Sequence, residues 1–259
     1  MISKAKIKYI KSLELKKNRN NENVFVAEGP KVVGELLACM QARIIVATTG
    51  WLKGNTECYD EYKSEIIEVD EEELRKVSFL QHPQQVLAVF PKRENAVNMA
   101  ETGNELILAL DDVQDPGNLG TIIRIADWFG ITKIVCSAGT VDVYNPKVVQ
   151  ATMGSISRVS VFYTDLVEFI EKLPSSMPVY GTFLDGANIY KQELSEYGLI
   201  VMGNEGNGIS QKLKEKIKNR LLIPNFPPGR ATTDSLNVAV ATAIICSEFR
   251  RKTNNIQLW

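Results

Sequence analysis

The sequence predicts an α/β protein of two domains, the larger a mostly parallel sheet with helices on both faces. Three features of its 259 residues point there. From Glu105 onward, short apolar runs alternate with stretches of helical spacing, the pattern of repeated βα units. Runs such as Leu106–Leu110 are apolar throughout, as parallel strands covered by helices must be. Residues 91–104, PKRENAVNMAETGN, are polar and aperiodic, and separate this region from a smaller α/β unit before it. The expected division is 1–92, a linker at 93–104, and 105–259.

In the first domain, Ser3–Lys16 has helical character and Asn18–Asn23 is a polar break. Val24–Ala27 is a strand. Pro30 opens a helix whose apolar face is Val32, Val33, Leu36 and Leu37. Ile44–Ala47 and Ile66–Val69 are strands, with residues 48–64 of mixed character between them. Asp70 caps a helix through Val77, and Val86–Phe90 is the last strand. In the second domain, Leu106–Leu110 is followed by turn residues and by a helix over Thr121–Phe129, with Gly130 at its end. Lys133–Cys136 is a strand, and Asn145-Pro146 starts a helix. Val159–Phe162 follows as a strand, and Asp165 caps a helix to Lys172. Pro178–Leu184 and Leu199–Gly203 are further strands, Ser210 caps a helix to about Lys218, and Leu221–Pro224 is a very short strand. Asp234–Arg250 is a long final helix, apolar on more than one side.

Composition narrows the function. Apolar content of 44% and charged content of 24% suit a soluble globular chain, and the apolar runs fall short of a membrane span. Lysines at the start are not followed by an apolar segment, so no signal peptide and a cytoplasmic location are expected. Cys39, Cys58, Cys136 and Cys246 lack metal-ligand spacing and read as reduced thiols; with His82 the only histidine, no metal site is expected. Net charge is −1, yet residues 1–20 carry Lys4, Lys6, Lys8, Lys11, Lys16, Lys17 and Arg19 against Glu14. Such a patch can bind phosphates, and it also fits a solvated helix face.

In parallel α/β sheets ligands bind beyond the carboxyl ends of the strands. Four loops there carry unusual residues. The first holds Asn118, Gly120 and Arg124. Asn118 or its neighbour can cap the helix, Gly120 opens its start, and Arg124 returns one turn later, a candidate anion site. The same residues also fit a plain cap and a surface charge. The second loop follows Gly181 and includes Thr182 and Leu184. The third is Gly203–Gly208, GNEGNG. Its glycine order is not that of a dinucleotide fingerprint, and no P-loop is present. Glu205 in this loop is placed to pair with Arg124 or to accept a ligand hydrogen bond. The fourth runs from Ile223-Pro224 to Ser235, Leu236 and Asn237 at a helix start, where they bind an anion or simply cap.

Taken in order, N-x-G-x-x-x-R (Asn118 to Arg124), G-N-E-G-x-G (Gly203 to Gly208) and I-P…S-L-N-V-A-V-A-x-A-I (Ile223 to Ile244) resemble the SpoU/TrmH family of RNA ribose 2′-O-methyltransferases, in the SPOUT superfamily. The resemblance covers residues 105–250. Lys17, Arg19, Phe25, Val26, Glu28, Gly29 and Gln84–Val89 more loosely resemble the family's L30e-like RNA-binding domain. The resemblance implies a trefoil-knotted catalytic domain, a homodimer through it, and S-adenosylmethionine as cofactor. It assigns Thr182, Leu184, Gly203, Asn204, Gly208, Ile223 and Leu236 to the cofactor. Asn118, Arg124, Glu205, Ser235 and Asn237 would surround the target ribose and phosphate as catalytic residues, and Lys17, Arg19 and Glu28 would meet RNA. The substrate implied is RNA, rRNA before tRNA. The segment NFPPGRATTD between Pro224 and Ser235 is longer than the family pattern, which leaves the places of Gly229 and Arg230 open. The family gives Arg124 the task of activating the hydroxyl. A guanidinium is a poor base, so orienting the ribose and stabilising alkoxide charge is the better expectation. The alternative is a non-catalytic RNA-binding or ribosome-assembly protein, which would lack Arg124, Glu205 or Asn237.

Overall fold

The structure, a computed structural model, describes residues 2–55, 64–93, 104–227, 230, 233 and 235–253. Most of the expected linker, Cys58, Gly229 and Asp234 therefore lie outside the described residues. In chain order the elements are α1 (Lys4–Ser12), α2 (Lys16–Glu22), β1 (Val24–Glu28), α3 (Pro30–Leu37), β2 (Ile44–Thr48), α4 (Thr49–Gly54), β3 (Glu65–Val69), α5 (Glu71–Val77) and β4 (Val86–Pro91). There follow β5 (Leu106–Leu110), α6 (Pro116–Trp128), β6 (Lys133–Cys136), α7 (Pro146–Ala151), β7 (Ser160–Tyr163) and α8 (Leu166–Glu171). Last come β8 (Val179–Asn188), β9 (Gly198–Met202), α9 (Gln211–Lys214), β10 (Asn219–Leu222) and α10 (Val238–Thr253). They form two compact units, 1–94 with 142–157, and 95–141 with 158–259.

The first unit has a four-stranded sheet in the order β1-β4-β2-β3. β4 runs antiparallel to β1 and β2, whereas β2 and β3 are parallel. Ile10, Leu13, Val24, Val46, Leu74 and Leu87 are among the buried residues of its core. Asp70 caps α5 by accepting from Glu73 N, with Glu71–Glu73 in the first turn where the helix dipole favours anions. The expected polar break at Asn18–Asn23 is instead mostly helix. Asn23, at φ 52° in the left-handed region, ends α2. Hydrophobic spacing does not reveal this helix because its buried residue is an arginine, Arg19, only 1% exposed. Residues 142–157 complete the unit: α7 lies against β1, and the Tyr144 and Phe25 rings are 4.8 Å apart.

The second unit has a six-stranded sheet in the order β10-β8-β9-β5-β6-β7. Every pairing is parallel. Ile107 and Ala109 share a cluster with Leu166 and Phe169 of α8 and Leu213 of α9. Alternation sends Leu106, Leu108 and Leu110 to the other face. There α6 and α10 pack together, and Phe249 of α10 meets Tyr180 of β8 edge-on at 4.9 Å. Helices thus cover both faces. From β5 the chain adds β6 and β7 on one side, then returns to build β8, β9 and β10 on the other. The order reverses between β5 and β9, the point at which such sheets open a crevice at their carboxyl ends.

Candidate active site

Asp115, not Asn118, caps α6: its carboxylate accepts from Asn118 N at 2.8 Å. Gly120 lies inside the helix and is buried, so it opens no amides at a helix start. Leu119 N is likewise committed, to Asp115 O. The expected nest of free amides is therefore not formed. What the early cap does is release the Asn118 side chain. Asn118 Nδ2 donates to Glu205 Oε1 at 2.6 Å, and Asn118 Oδ1 accepts from Asn237 Nδ2 at 2.9 Å. One amide thus ties together the ends of β5 and β9 and the start of α10, three segments far apart in sequence. Glu205 is bound to Asn118 rather than to Arg124, and its Oε2 has no partner among the described residues.

Asn237 also caps α10, its Oδ1 accepting from Ala239 N and Val240 N at 3.0 and 3.2 Å. This fixes the helix start at Val238, later than the apolar pattern suggests. Arg124 is exposed on α6, on the face shared with Gly117, Thr121 and Trp128, and has no ion-pair partner among the described residues. Ser235 and Leu236 are exposed just before the helix.

The loop after β9 closes on itself. Asn204 and Gly208 exchange backbone hydrogen bonds, Asn204 Oδ1 accepts from Gly206 N and Asn207 N, and Asn204 Nδ2 donates to Asp112 O at 2.8 Å. A Cβ on Gly203 would lie 2.3 Å from the Gly208 carbonyl carbon, so only glycine permits this closure. Asp111, buried at the end of β5, accepts from Ser210 N at 2.7 Å and anchors the loop's exit. Sequence reading placed Asp111 only among turn residues.

β8 is longer than expected and is interrupted. Gly181 pairs with Arg220, but the next step of β10, Leu221, pairs with Ala187. Thr182 to Gly186 thus leave the ladder as a five-residue excursion carrying Thr182 and Leu184, the latter 77% exposed. Arg220, not foreseen from sequence, holds the excursion. Its guanidinium lies 3.9 Å from the centre of the Phe183 ring and bonds Asp185 at 2.5 Å. That hydrogen bond holds the Asp185 carboxyl below its ordinary value. The fourth loop also folds on itself, with Arg230 N donating to Pro227 O.

The comparisons with known proteins bear on these loops. Residues 105–247 match the SpoU rRNA Methylase family, and residues 4–88 match the MRM3-like substrate binding domain. The chain belongs to the SpoU rRNA methylase family. A 23S rRNA (guanosine(2553)-2'-O)-methyltransferase, RlmP, of Bacillus subtilis is 34% identical over 95% of this chain and 96% of its own. A TrmH-family structure from Porphyromonas gingivalis aligns at 40% identity and a TM-score of 0.85, covering 97% of this chain and 99% of that one. An AdoMet-bound rRNA methyltransferase from Sinorhizobium meliloti aligns at 29% identity and a TM-score of 0.86, covering 97% and 96%.

S-adenosylmethionine is the cofactor of the SpoU family, and the strand ends here fit it. β9, β8 and β10 are neighbours in the sheet, so Gly203, the Thr182–Gly186 excursion and Ile223 follow one another along a single edge. Each offers backbone groups, and Leu184 and Leu236, 77% and 47% exposed, supply apolar surface for a nucleoside. No group of side chains among the described residues is arranged to hold a metal.

Two expected RNA contacts are corrected. Arg19 is buried within the first unit, donating to Leu13 O, Glu14 O and the Asp142 carboxylate at 2.9, 2.6 and 2.6 Å. Glu28 is 6% exposed and accepts from Ser78 Oγ and from Phe79 N. Burial pushes its carboxyl above the ordinary range, partly opposed by those two bonds. Neither side chain is available to RNA. Lys17 is exposed, as are Lys4, Lys8 and Lys16. Cys136 and Cys246 are core thiols, the latter pushed up to about 12 by burial and hence inert.

Proposed function

We propose that this chain methylates a ribose 2′-hydroxyl in structured RNA, rRNA before tRNA, using S-adenosylmethionine. The observation that carries the reading is the Glu205–Asn118–Asn237 hydrogen-bonded chain at the switch point of the parallel sheet. It unites three sequence-distant polar residues in a member of a methylase family. The Bacillus subtilis relative, matched over nearly its whole length, bears the name of a 23S rRNA 2′-O-methyltransferase.

When bound, S-adenosylmethionine supplies a methyl group on a sulfonium; the chain's residues must bring the hydroxyl to it. Thr182, Leu184, Gly203, Asn204, Gly208, Ile223 and Leu236 are the residues that would hold the cofactor. Arg124 stands ready for a phosphate or a ribose oxygen. A guanidinium keeps its proton far above neutrality, so its part is to orient the nucleotide and to stabilise alkoxide charge. Glu205 has one oxygen fixed by Asn118 and the other open to a hydrogen bond from the target. Ser235, beside Asn237, adds a further donor. Holding both reactants in line supplies effective molarities of up to about 10⁵ M or more.

The same reading carries a trefoil knot in the second unit and a homodimer through it. Trp128 of α6 and Val240 of α10, 85% and 51% exposed, are the apolar residues such a contact would cover. No helix among the described residues is long and apolar enough to cross a membrane, and the reading places the protein in the cytoplasm with the ribosome. The deciding experiment is transfer of labelled methyl to rRNA and tRNA fractions by the wild type and by Arg124→Ala. Label on a ribose 2′-oxygen, lost in the variant, supports the reading; absence of label despite cofactor binding directs the search to assembling ribosomal particles. Failure to bind the cofactor sinks it.

A further inference from the structure

We infer that Arg220 is a positioning residue for the cofactor: by gripping Phe183 and Asp185 together, it holds the Thr182–Gly186 excursion in its binding shape before the ligand arrives. The inference rests on the proposed methyltransferase reading for the identity of the ligand, but the shape of the excursion is independent of it.

Five residues leave the β8 ladder between two successive β10 residues, Arg220 and Leu221. A loop of that length, anchored only at its ends, is free to take many conformations, and each residue fixed on binding costs conformational entropy. Arg220 stands at the foot of the excursion and reaches two of its five members. It stacks on the Phe183 ring at 3.9 Å from the centroid, close for a cation–π contact. It also donates from Nη2 to Asp185 Oδ1 at 2.5 Å. These two residues flank Leu184 on both sides, so the clasp sets the direction in which the exposed Leu184 side chain points.

Two glycines make the path fit. A Cβ on Gly181 would lie 2.8 Å from the Phe183 ring, so the ring folds back over the strand only above a glycine. A Cβ on Gly186 would lie 2.6 Å from the Leu221 carbonyl carbon, so the chain rejoins β10 only through a glycine. Lysine is a poor substitute at the clasp: it keeps the charge toward Asp185 but lacks the flat guanidinium that stacks while it donates.

The test uses the full-length protein, with S-adenosylhomocysteine as the calorimetric probe. Arg220→Ala and Phe183→Leu are compared with wild type, and Arg220→Lys is expected to fall between. Hydrogen exchange over residues 182–186 is measured without ligand. The expected result is faster exchange in both variants at an unchanged melting transition. Binding weakens about 10- to 100-fold, from ordering that must now accompany binding, and KM for the cofactor rises more than kcat falls. Wild-type exchange and wild-type affinity in Arg220→Ala would overturn the inference, as would a kcat loss with KM unchanged. If the wild type itself does not bind the probe, the methyltransferase reading fails, while exchange in the ligand-free protein still decides whether Arg220 orders the excursion.

Discussion

Two arginines show how differently the two units use the same side chain. Arg19 in the first unit is 1% exposed and bonds two carbonyls and a carboxylate; only its Nε has no hydrogen-bond partner. Arg124 in the second unit is exposed and has no ion-pair partner among the described residues. A buried charge must be matched inside the protein, because desolvation costs several kcal/mol per ion. An exposed, unmatched one is stabilised by water and can exchange that water for a phosphate. Arg19 is therefore an architectural residue, and Arg124 the one prepared for a ligand. The contrast extends to the carboxylates: Glu28 is enclosed with both oxygens bonded, while Glu205 keeps one oxygen open.

The largest effect expected from this contrast is on stability. Arg19→Met leaves Asp142 buried without its partner and should cost about 3–5 kcal/mol, read by urea unfolding. Adding Asp142→Leu should recover much of that loss, and failure to do so would show that the two carbonyl bonds matter more than the ion pair. Next comes Arg124→Ala, for which methyl transfer should fall by about 10²–10³ with cofactor affinity and melting temperature nearly unchanged. Lost cofactor affinity in that variant would contradict its assignment to the ribose side. Asn237→Ala should remove the cap of α10, at about 1 kcal/mol, and release Asn118, so that it lowers both stability and rate. A rate unaffected by this change would separate the cap from the chemistry.

The smallest effect is a pH dependence. Burial holds the Glu28 carboxyl above its ordinary value of 4.5, so the folded state binds the proton more tightly than the unfolded state. Its contribution is fully present below the unfolded value and is lost as pH rises through the folded one. Glu28→Gln has no such proton to lose. The stability gap between wild type and variant should therefore narrow from about pH 4 to about pH 7, measured by urea unfolding at each pH; a constant gap would show that Glu28 titrates as though unfolded.

The sequence by itself determined the α/β class, the run of βα units, the caps at Asp70, Asn145 and Asp165, and the order of the three family motifs. These are local matters: periodicity is written in neighbouring residues, and a cap needs only a side chain that reaches the next turn. The tertiary structure decided what lies between segments far apart in the chain. It passed the capping of α6 to Asp115 and so freed Asn118 for Glu205 and Asn237, 87 and 119 residues away. It made a helix of α2 by burying Arg19 against Asp142, a pairing across 123 residues. It turned five residues of β8 outward under Arg220, 35 residues from the Asp185 that it grips. In each case a polar side chain found a partner that only folding brings within reach, and hydrophobic spacing carries no trace of such a partner.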